Sequence, residues 1–367
     1  MKRILIVRLS ALGDIVHALP VLNQLRKAFP AAEIDWLVEE NYAATLALAA
    51  GLHRRIIVRA TSNADSPDSI SFAGVPGYLR AAAYLRSRRY DAALDLQGLL
   101  KSAVWARASG AQRVIGFDRA DLREPLAASL YTETVKPDVS GHVIKKNLSI
   151  LPALGLEPGP TELSVQPAAS AEMTKAIQMA GGSNGYIVIN PGAAWPNKCW
   201  PPDRFGAVAK TLRDRTGLHS LVTWGPKEQA LAESVSRASA DAAAPAPQTS
   251  IRDLAALMRF AALAISGDTG PLHIAAAVGT PIVGLFGPTR PERNGPWEPI
   301  DEVISRSDTC VCHHKRQCLR GAPCINEITV DEVIAAAERR LRSSRAGLRQ
   351  GSGLRQGYGG QAGEPGA

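Results

Sequence analysis

The stretch SGDTGPLHIAAAVGTPIVGLFGP, residues 266–288, has the pattern of a strand end, a turn, a helix and a second strand. Residues 263–265 before it are typical of a buried strand, and the Ala-rich helix ends at Gly279. Pro281–Phe286 is typical of the next buried strand. This order predicts an α/β fold with a parallel sheet, and it places Asp268-Thr269-Gly270-Pro271 at the carboxyl edge, where open α/β sheets bind ligands.

The turn at 268–271 has two possible roles. Asp268 and Thr269 could simply cap the helix, which is a common role for either residue type. Capping does not account for the added Gly270-Pro271 or for His273 one turn into the helix. The free N–H groups and the dipole at a helix N-terminus attract a phosphate. We therefore predict a phosphate site, with capping alone as the alternative.

Strand and helix patterns alternate along the chain, which predicts parallel sheets covered on both faces. The cluster GLEPGP at residues 155–160 interrupts the alternation, which begins again at Tyr186–Ile189. Two α/β units in series leave a cleft between them, a common place for a ligand. The last predicted helix is Val330–Arg342, after which the repeat GLRQG lacks the apolar residues needed to fold. The predicted divisions are an N-terminal domain 1–157, a C-terminal domain 158–343 and a disordered tail 344–367.

Composition limits the class of protein. The chain has 367 residues, of which 46% are hydrophobic and 21% charged, as expected for a soluble globular protein. No segment approaches the ~18–20 apolar residues of a membrane span. Arg8, Asp14 and His17 interrupt any apolar core of a signal peptide, so the expected location is the cytoplasm.

The formal net charge is +8, and the excess leans to the first 160 residues, with 20 Lys and Arg against 15 Asp and Glu. A basic excess suits nucleic acid, an anionic membrane surface or an anionic substrate. Only 5% of residues are aromatic and no base-stacking motif is present, so no nucleic-acid partner is predicted.

A second strand-to-helix turn follows the first strand, with Ser10, Gly13 and Asp14 at its crest. It matches neither the GxGxxG dinucleotide fingerprint nor the GxxxxGK[ST] phosphate loop. Asp14 could cap a helix. Alternatively it is a carboxylate on the rim of the cleft, positioned to take a proton from an acceptor hydroxyl.

A third turn, NPGAAWPNKCWP at residues 190–201, follows the first strand of the second unit. Ala193 and Ala194 form a small-residue crest, and Lys198 follows it. Its ammonium could meet a phosphate, and a lone surface lysine is the alternative.

Four of the five cysteines form the pattern C-x-C-x5-C-x5-C, at Cys310, Cys312, Cys318 and Cys324. Such a cluster could hold zinc, but the spacing is not the usual paired C-x2-C. A cytoplasmic setting argues against disulfides. We expect reduced thiols in a compact loop and no catalytic metal.

Seven segments together resemble the bacterial lipopolysaccharide heptosyltransferases of glycosyltransferase family 9, and they span Arg8 to Thr289. The segments are RLSALGDIVHALP, IDWLVEE, DLQGLLKSA, REPLAA, NPGAAWPNKCWP, TWGPKEQ and SGDTGPLHIAAAVGTPIVGLFGPT. Within the family, IDWLVEE and REPLAA are most similar to heptosyltransferase I. The chain departs from many of these relatives at Ala193-Ala194, where they carry hydroxyl side chains.

The resemblance implies a GT-B architecture, in which two Rossmann-like domains face each other across a central cleft and the C-terminal one holds most of the donor. It implies inverting transfer of heptose from ADP-heptose to Kdo-lipid A, without a cofactor or catalytic metal. Such an enzyme works at the anionic cytoplasmic face of the inner membrane, and we expect Arg86, Arg88 and Arg89 to contact it alongside the acceptor-side Lys101 and Arg123. The same fold with another nucleotide sugar or a later acceptor, or a non-catalytic nucleotide-sugar-binding protein, are the alternatives.

The resemblance also assigns roles residue by residue. Asp14 matches the general base. The donor-binding positions are Lys198, Glu228, Asp268, Thr269, Gly270, His273, Ala193 and Ala194. The acceptor-side positions are Ser10, Gly13, Lys101 and Arg123.

Overall fold

The computed structural model describes residues 1–59, 69–161, 163, 165, 167–181, 185–313, 315–318 and 320–350. The chain forms two parallel sheets, each covered by helices on both faces. The α/β prediction is confirmed. In the described part of the chain, no helix is long and apolar enough to cross a membrane.

The N-terminal sheet has seven strands in the order β4-β3-β2-β1-β5-β6-β7, and all neighbouring strands are parallel. The strands are β1 Arg3–Val7, β2 Glu33–Glu39, β3 Arg54–Arg59, β4 Ser69–Ala73, β5 Ala92–Asp95, β6 Arg113–Phe117 and β7 Glu133–Val135. The helices are α1 Leu12–Val16, α2 Leu19–Ala28, α3 Glu40–Ala43, α4 Gly74–Ser87, α5 Leu100–Ala108 and α6 Val143–Leu148. Short 3-10 turns lie at Ala44–Leu48, Arg119–Asp121, Pro125–Leu130 and Leu151–Leu154.

The C-terminal sheet has six parallel strands in the order β10-β9-β8-β11-β12-β13. The strands are β8 Ile187–Asn190, β9 Ser220–Val222, β10 Ala243–Pro245, β11 Leu263–Gly267, β12 Ile282–Phe286 and β13 Glu302–Ser305. The helices are α7 Ala171–Ala180, α8 Pro202–Thr216, α9 Gln229–Ala238, α10 Ile251–Phe260, α11 Gly270–Ala277, α12 Pro291–Asn294 and α13 Val330–Gln350. Within the described residues, 3-10 turns lie at Pro196–Lys198 and Cys324–Glu327.

The central strands explain why the sequence pattern was informative. Every residue of β5, β8, β11 and β12 is buried, because helices cover both faces of the sheet. Such strands are continuous apolar runs, and they stand out in a sequence. The edge strands β7 and β10 have only three residues each, partly exposed, and were not predicted.

Two helix predictions were wrong in their bounds. The sequence pattern of His142–Leu154 predicts one helix, but the segment forms α6 and a separate 3-10 turn, because Pro152 cannot donate the N–H that would continue the helix. The last helix continues to Gln350 instead of ending at Arg342. Its two serines accommodate the extension, since Ser343 and Ser344 donate their hydroxyls to carbonyls four residues back. Residues 351–367 of the predicted tail lie outside the described residues, and the domain division at 157/158 stays a prediction.

Candidate active site

A cavity of about 970 Å³ lies between the two domains. Its walls come from the turns that follow β1 and β5 in the N-terminal domain and β8, β9 and β11 in the C-terminal domain. These turns lie at the carboxyl ends of the parallel strands, so both sheets direct their ligand-binding edges at the same space.

Twelve of the thirteen predicted site residues line this cavity, and Lys101 does not. The lining set is Ser10, Gly13, Asp14, Arg123, Ala193, Ala194, Lys198, Glu228, Asp268, Thr269, Gly270 and His273. Lys101 lies on α5 with its ammonium 2.9 Å from a carboxylate oxygen of Glu39. Its predicted acceptor contact therefore has no support from its position.

Asp14 is in the first turn of α1, and its side chain is about one-third exposed. The guanidinium of Arg8 lies 2.8 Å from its carboxylate, and the N–H of Ala11 donates to the other oxygen at 3.3 Å. Burial raises the pKa of Asp14, but Arg8, this N–H and Arg293 lower it by more, so the net shift is downward. Asp14 thus both supports the helix start and presents an ionised carboxylate to the cavity.

Arg8 holds Asp14 in a fixed place. Its side chain is buried, and a second guanidinium nitrogen donates to the carbonyl of Leu96 at the end of β5. Gln97, next along the chain, accepts the N–H of Leu9 at 2.8 Å and reaches Ser10 Oγ at 3.4 Å. The turn that carries Asp14 is therefore tied to the neighbouring strand as well as to its own.

On the opposite wall, Lys198 and Asp268 form a buried ion pair. The ammonium donates to Asp268 Oδ2 at 2.6 Å and lies 4.8 Å from the centre of the Trp195 ring. His273 Nε2 is 3.4 Å from the other carboxylate oxygen. Burial raises the pKa of Asp268, but His273 and Lys198 together lower it well below its usual range. Asp268 remains ionised and fixes the lysine at the cavity wall.

The capping alternative for Asp268 and Thr269 is not supported. Thr269 is the N-cap residue of α11, yet its side chain makes no capping hydrogen bond. Its hydroxyl instead lies 3.3 Å from Nδ2 of the buried Asn190, which also donates to the carbonyl of Gly192. The turn therefore presents the N-terminus of an eight-residue helix to the cavity without a side-chain cap.

Glu228 precedes α9 and accepts the N–H of Gly225 at 2.9 Å. Its carboxylate lies directly against Gly192 in the loop that follows β8. A methyl group at Gly192 would come within 2.4 Å of Glu228 Oε2. The absence of a side chain at Gly192 is what allows Glu228 to reach the cavity.

The two domains meet through reciprocal glycine contacts between α1 and α11. A methyl group at Gly13 would lie 2.2 Å from the ring of His273, and one at Gly270 would lie 2.7 Å from Leu12. A side chain of the other domain therefore packs directly against each glycine. Gly13 and Gly270 were predicted as ligand contacts, and the structure shows that they also set the spacing of the cleft.

A cluster of three histidines and Trp297 extends this contact. The His17 ring is 4.3 Å from the His273 ring and 5.0 Å from the His142 ring. His142 also bonds the carbonyl of Gly295 across the interface, at 2.9 Å. Burial lowers the pKa of His17 well below its usual value and lowers that of His142 to about 4. The neutral imidazoles of His17 and His142 therefore belong to the folded interface.

We expect acid to weaken this interface. Because the folded pKa values are depressed, the unfolded chain binds more protons below its ordinary histidine pKa of about 6.5, so stability falls as pH drops from about 6.5 towards 4. His142→Asn should reduce the loss of thermal midpoint over that window, whereas the same change at the exposed His219 should not. Differential scanning calorimetry at stepped pH measures both. An identical pH dependence in wild type and His142→Asn would contradict this account.

Several lining residues were not predicted from the sequence. Arg8 stands in the same motif as Asp14, and its basic side chain next to an acidic crest was a usable signal. Arg293 and Arg316 also line the cavity, but they follow β12 and β13, where no motif marks them. The role of Asn190 as a support for Thr269 depends on tertiary contact between two turns.

All five cysteines are free thiols. Among the residues that the structure describes, no group of three or more His, Cys, Asp or Glu side chains is arranged to hold a metal ion. Cys310, Cys312 and Cys324 are buried and Cys318 packs against them, so the loop is compact as expected.

The prediction of Arg88 as a membrane-contacting cation is wrong. The Arg88 side chain is only 15% exposed, and it pairs with Glu33 and lies 3.5 Å from the buried Asp35. Arg86 and Arg89 are exposed. Arg88 therefore neutralises carboxylates of β2 and is not available to contact a membrane surface.

The model of glycosyltransferase family 9 (heptosyltransferase) matches residues 78–322, which is more than half of the chain. Lipopolysaccharide heptosyltransferase 1 of Pseudomonas aeruginosa is 28% identical over 86% of this chain and 87% of its own length. Lipopolysaccharide heptosyltransferase 3 of Escherichia coli is 29% identical over 91% of this chain and 98% of its own length.

Among solved structures, the E. coli heptosyltransferase WaaC with ADP matches 92% of this chain and 100% of its own, with 24% identity and a TM-score of 0.68. This likeness concerns the fold, and it confirms the GT-B architecture of two Rossmann-like domains facing across a cleft. With the family model and the fold in agreement, the chain belongs to glycosyltransferase family 9, the heptosyltransferase family, and is a glycosyltransferase.

Proposed function

We propose that this enzyme transfers L-glycero-D-manno-heptose from ADP-heptose to Kdo-lipid A, with inversion at the anomeric carbon, in the assembly of the lipopolysaccharide inner core. One observation carries the proposal. The ionised Asp14 on one wall of the cleft faces the Lys198–Asp268 pair and the α11 N-terminus on the other. The names of the relatives from P. aeruginosa and E. coli support heptose as the transferred sugar, and the ADP complex of WaaC supports an adenine nucleotide.

In this reaction the acceptor hydroxyl attacks the anomeric carbon from the face opposite ADP. Asp14 Oδ2 or Oδ1 accepts the hydroxyl proton as the new bond forms. The Arg8 guanidinium and the Ala11 N–H keep the carboxylate charged and oriented until then. Binding both substrates in one cleft also replaces a bimolecular encounter with a fixed geometry.

As the bond to ADP breaks, its electron pair goes to the β-phosphate oxygen, and the diphosphate gains negative charge. Lys198 supplies a cation there, and the N-terminus of α11 at Gly270 supplies the positive end of a helix dipole. Asp268 positions the lysine rather than acting on the sugar. Glu228 lines the same wall and is placed to accept hydrogen bonds from hydroxyl groups of the donor.

The alternative acceptors are later core intermediates, and relatives of type 1 and type 3 are similarly close. ADP or UDP release should be measured with ADP-heptose, ADP-glucose, UDP-glucose and UDP-galactose, each with Kdo-lipid A and with Kdo-lipid A that already carries one heptose. The proposal expects release only from ADP-heptose with unmodified Kdo-lipid A. Preference for the heptosylated lipid would assign a later step, and preference for a UDP-sugar would overturn the donor.

We also propose that the enzyme docks peripherally on the anionic cytoplasmic face of the inner membrane. The supporting feature is the α4–α5 face, which exposes the apolar side chains of Tyr78, Leu79, Leu100 and Val104, beside Leu126 of the 3-10 turn that packs against α5. Leu79 is 71% exposed and Leu126 is 64% exposed. The Tyr78 and Trp105 rings lie 5.8 Å apart, which joins α4 to α5.

The chemistry of the α4–α5 face favours lipid. Exposed apolar side chains gathered on one surface mark an interaction site, and tyrosine and tryptophan favour the membrane interface. Arg80 and Arg107 are exposed on the same two helices, and each such cation adds about 1 kcal/mol of attraction to an anionic surface. The face belongs to the domain that carries the predicted acceptor site.

Replacing Leu79 and Val104 together by Ser should weaken binding to anionic phospholipid vesicles by about tenfold, because partial burial of two apolar side chains is lost. The matched control is Met179→Ser with Phe260→Ser, which removes two exposed apolar side chains from the C-terminal domain. Vesicle sedimentation measures both, and turnover with a delipidated acceptor should stay unchanged in both. Equal vesicle binding by the two double variants would refute this docking face.

A further inference from the structure

The cysteine segment, defined here as the described residues between Cys310 and Cys324, forms a compact unit on the C-terminal domain. The Sγ atoms of Cys312 and Cys318 are 3.5 Å apart. Backbone N–H groups close the turns, since Cys312 N donates to Cys310 Sγ at 3.3 Å and Arg320 N donates to Cys318 Sγ at 3.4 Å. The segment therefore has a shape of its own, although it has no part in the reaction described above.

The cysteine segment is attached to the wall that carries Lys198. The buried Asn197, next to that lysine, donates its side-chain N–H to the carbonyl of Lys315 at 2.8 Å. On the other side, His313 Nδ1 lies 3.3 Å from the carbonyl of Pro288, in the turn after β12. Arg316 directly follows Lys315, and with these two contacts in place it lies on the wall of the cavity.

The side chains on this wall offer a diphosphate little net positive charge. Lys198 is already paired with Asp268 at 2.6 Å, and Glu228 adds another acidic group, so these three side chains carry a net negative charge. A nucleoside diphosphate is itself strongly negative and gains charge as it leaves. Arg293 lies near the proposed general base Asp14, and its charge lowers the pKa of that carboxylate. Arg316 is exposed and has no ion-pair partner within the described part of the chain.

We propose that Arg316 is a further binding residue for the diphosphate of the donor, carried to it by the cysteine segment. This inference rests on the proposed function, which supplies the nucleoside diphosphate. A guanidinium can form two parallel hydrogen bonds to phosphate oxygens, which a paired lysine cannot do. Arg316 would thus offset the charge of Asp268 and Glu228 and stabilise the leaving group together with Lys198.

Isothermal titration calorimetry with ADP and with adenosine separates this role from a general effect. Arg316→Gln should raise the dissociation constant for ADP roughly tenfold, the expected loss for one exposed charge-assisted contact, and leave that for adenosine unchanged. Arg316→Lys should recover part of the ADP affinity. The matched control is Lys315→Gln, which removes an exposed cation one residue away whose side chain does not line the cavity.

Wild-type ADP affinity in Arg316→Gln, or an equal loss in Lys315→Gln, would overturn the proposal while leaving the proposed function standing. A wild-type enzyme that binds ADP no better than adenosine would overturn both. Thermal unfolding of each variant verifies that the fold is intact. In turnover assays, Arg316→Gln should raise the KM for the donor and lower kcat, with the KM for the acceptor unchanged.

Discussion

Asp14→Asn is expected to lower turnover by about 10²–10⁴-fold, the usual cost of losing a general base, and to leave ADP affinity almost unchanged. Asparagine keeps the size of the side chain and can still accept the Ala11 N–H, so α1 retains its start. It cannot take a proton from the acceptor. The variant also leaves the buried Arg8 guanidinium without its carboxylate partner, so thermal stability should fall while the donor wall stays intact.

The matched control for Asp14 is Asp121→Asn, because Asp121 is another carboxylate that lines the cavity on the N-terminal side. A general loss of negative charge would affect both variants, whereas loss of the base affects only the first. Steady-state kinetics with saturating donor, together with ADP titration, make the comparison. Near-wild-type turnover in Asp14→Asn would reduce Asp14 to a residue that supports the start of α1.

Lys198→Ala is expected to lower turnover by about 10²–10³-fold and to weaken ADP binding, because electrostatic stabilisation of the leaving group is lost. The structure adds a second cause. Removing the ammonium leaves the buried Asp268 carboxylate facing the diphosphate without its partner at 2.6 Å. The double variant Lys198→Ala with Asp268→Asn should therefore bind ADP more tightly than Lys198→Ala alone.

Titration of ADP into the single and double variants measures this coupling, and Lys210→Ala on the exposed side of α8 is the control for loss of a lysine. If the double variant binds no better than the single one, repulsion from Asp268 does not contribute. A change confined to the KM of the acceptor would contradict this role, because it would show that Lys198 binds the acceptor and not the donor.

The sequence revealed the centre of each domain better than its edges. β8, β11 and β12 are apolar throughout because both faces are buried, and the polar turns after them stand out against that background. Asp268 and Lys198 could therefore be predicted from the sequence as ligand-binding residues, and both line the cavity. Their pairing could not, since it joins turns that are 70 residues apart.

Charge alone was a poor guide to exposure. Arg88 lies in a basic cluster of the sequence, yet its guanidinium reaches Glu33 and Asp35 on a neighbouring strand, more than 50 residues earlier. Arg316 is the opposite case. Its cysteine-rich segment has no regular pattern, so nothing in the sequence indicated that this arginine lines the cavity. In both cases the deciding contact is tertiary, and residue type and spacing do not encode it.

The histidine cluster was missed for a related reason. His17 and His142 belong to the N-terminal part of the chain and His273 to the C-terminal part, so only the contact between the two domains brings them together. Gly13 was predicted as an acceptor contact, but its lack of a side chain also leaves room for His273.

The mass of the lipid product tests the central claim most directly. Purified enzyme should be incubated with ADP-heptose and Kdo-lipid A, and the extracted lipid should be analysed by mass spectrometry beside a reaction with Asp14→Asn. The account predicts a product carrying one added heptose residue with the wild-type enzyme, and almost none with Asp14→Asn over the same time. Unmodified Kdo-lipid A after incubation with the active, folded wild-type protein would contradict it.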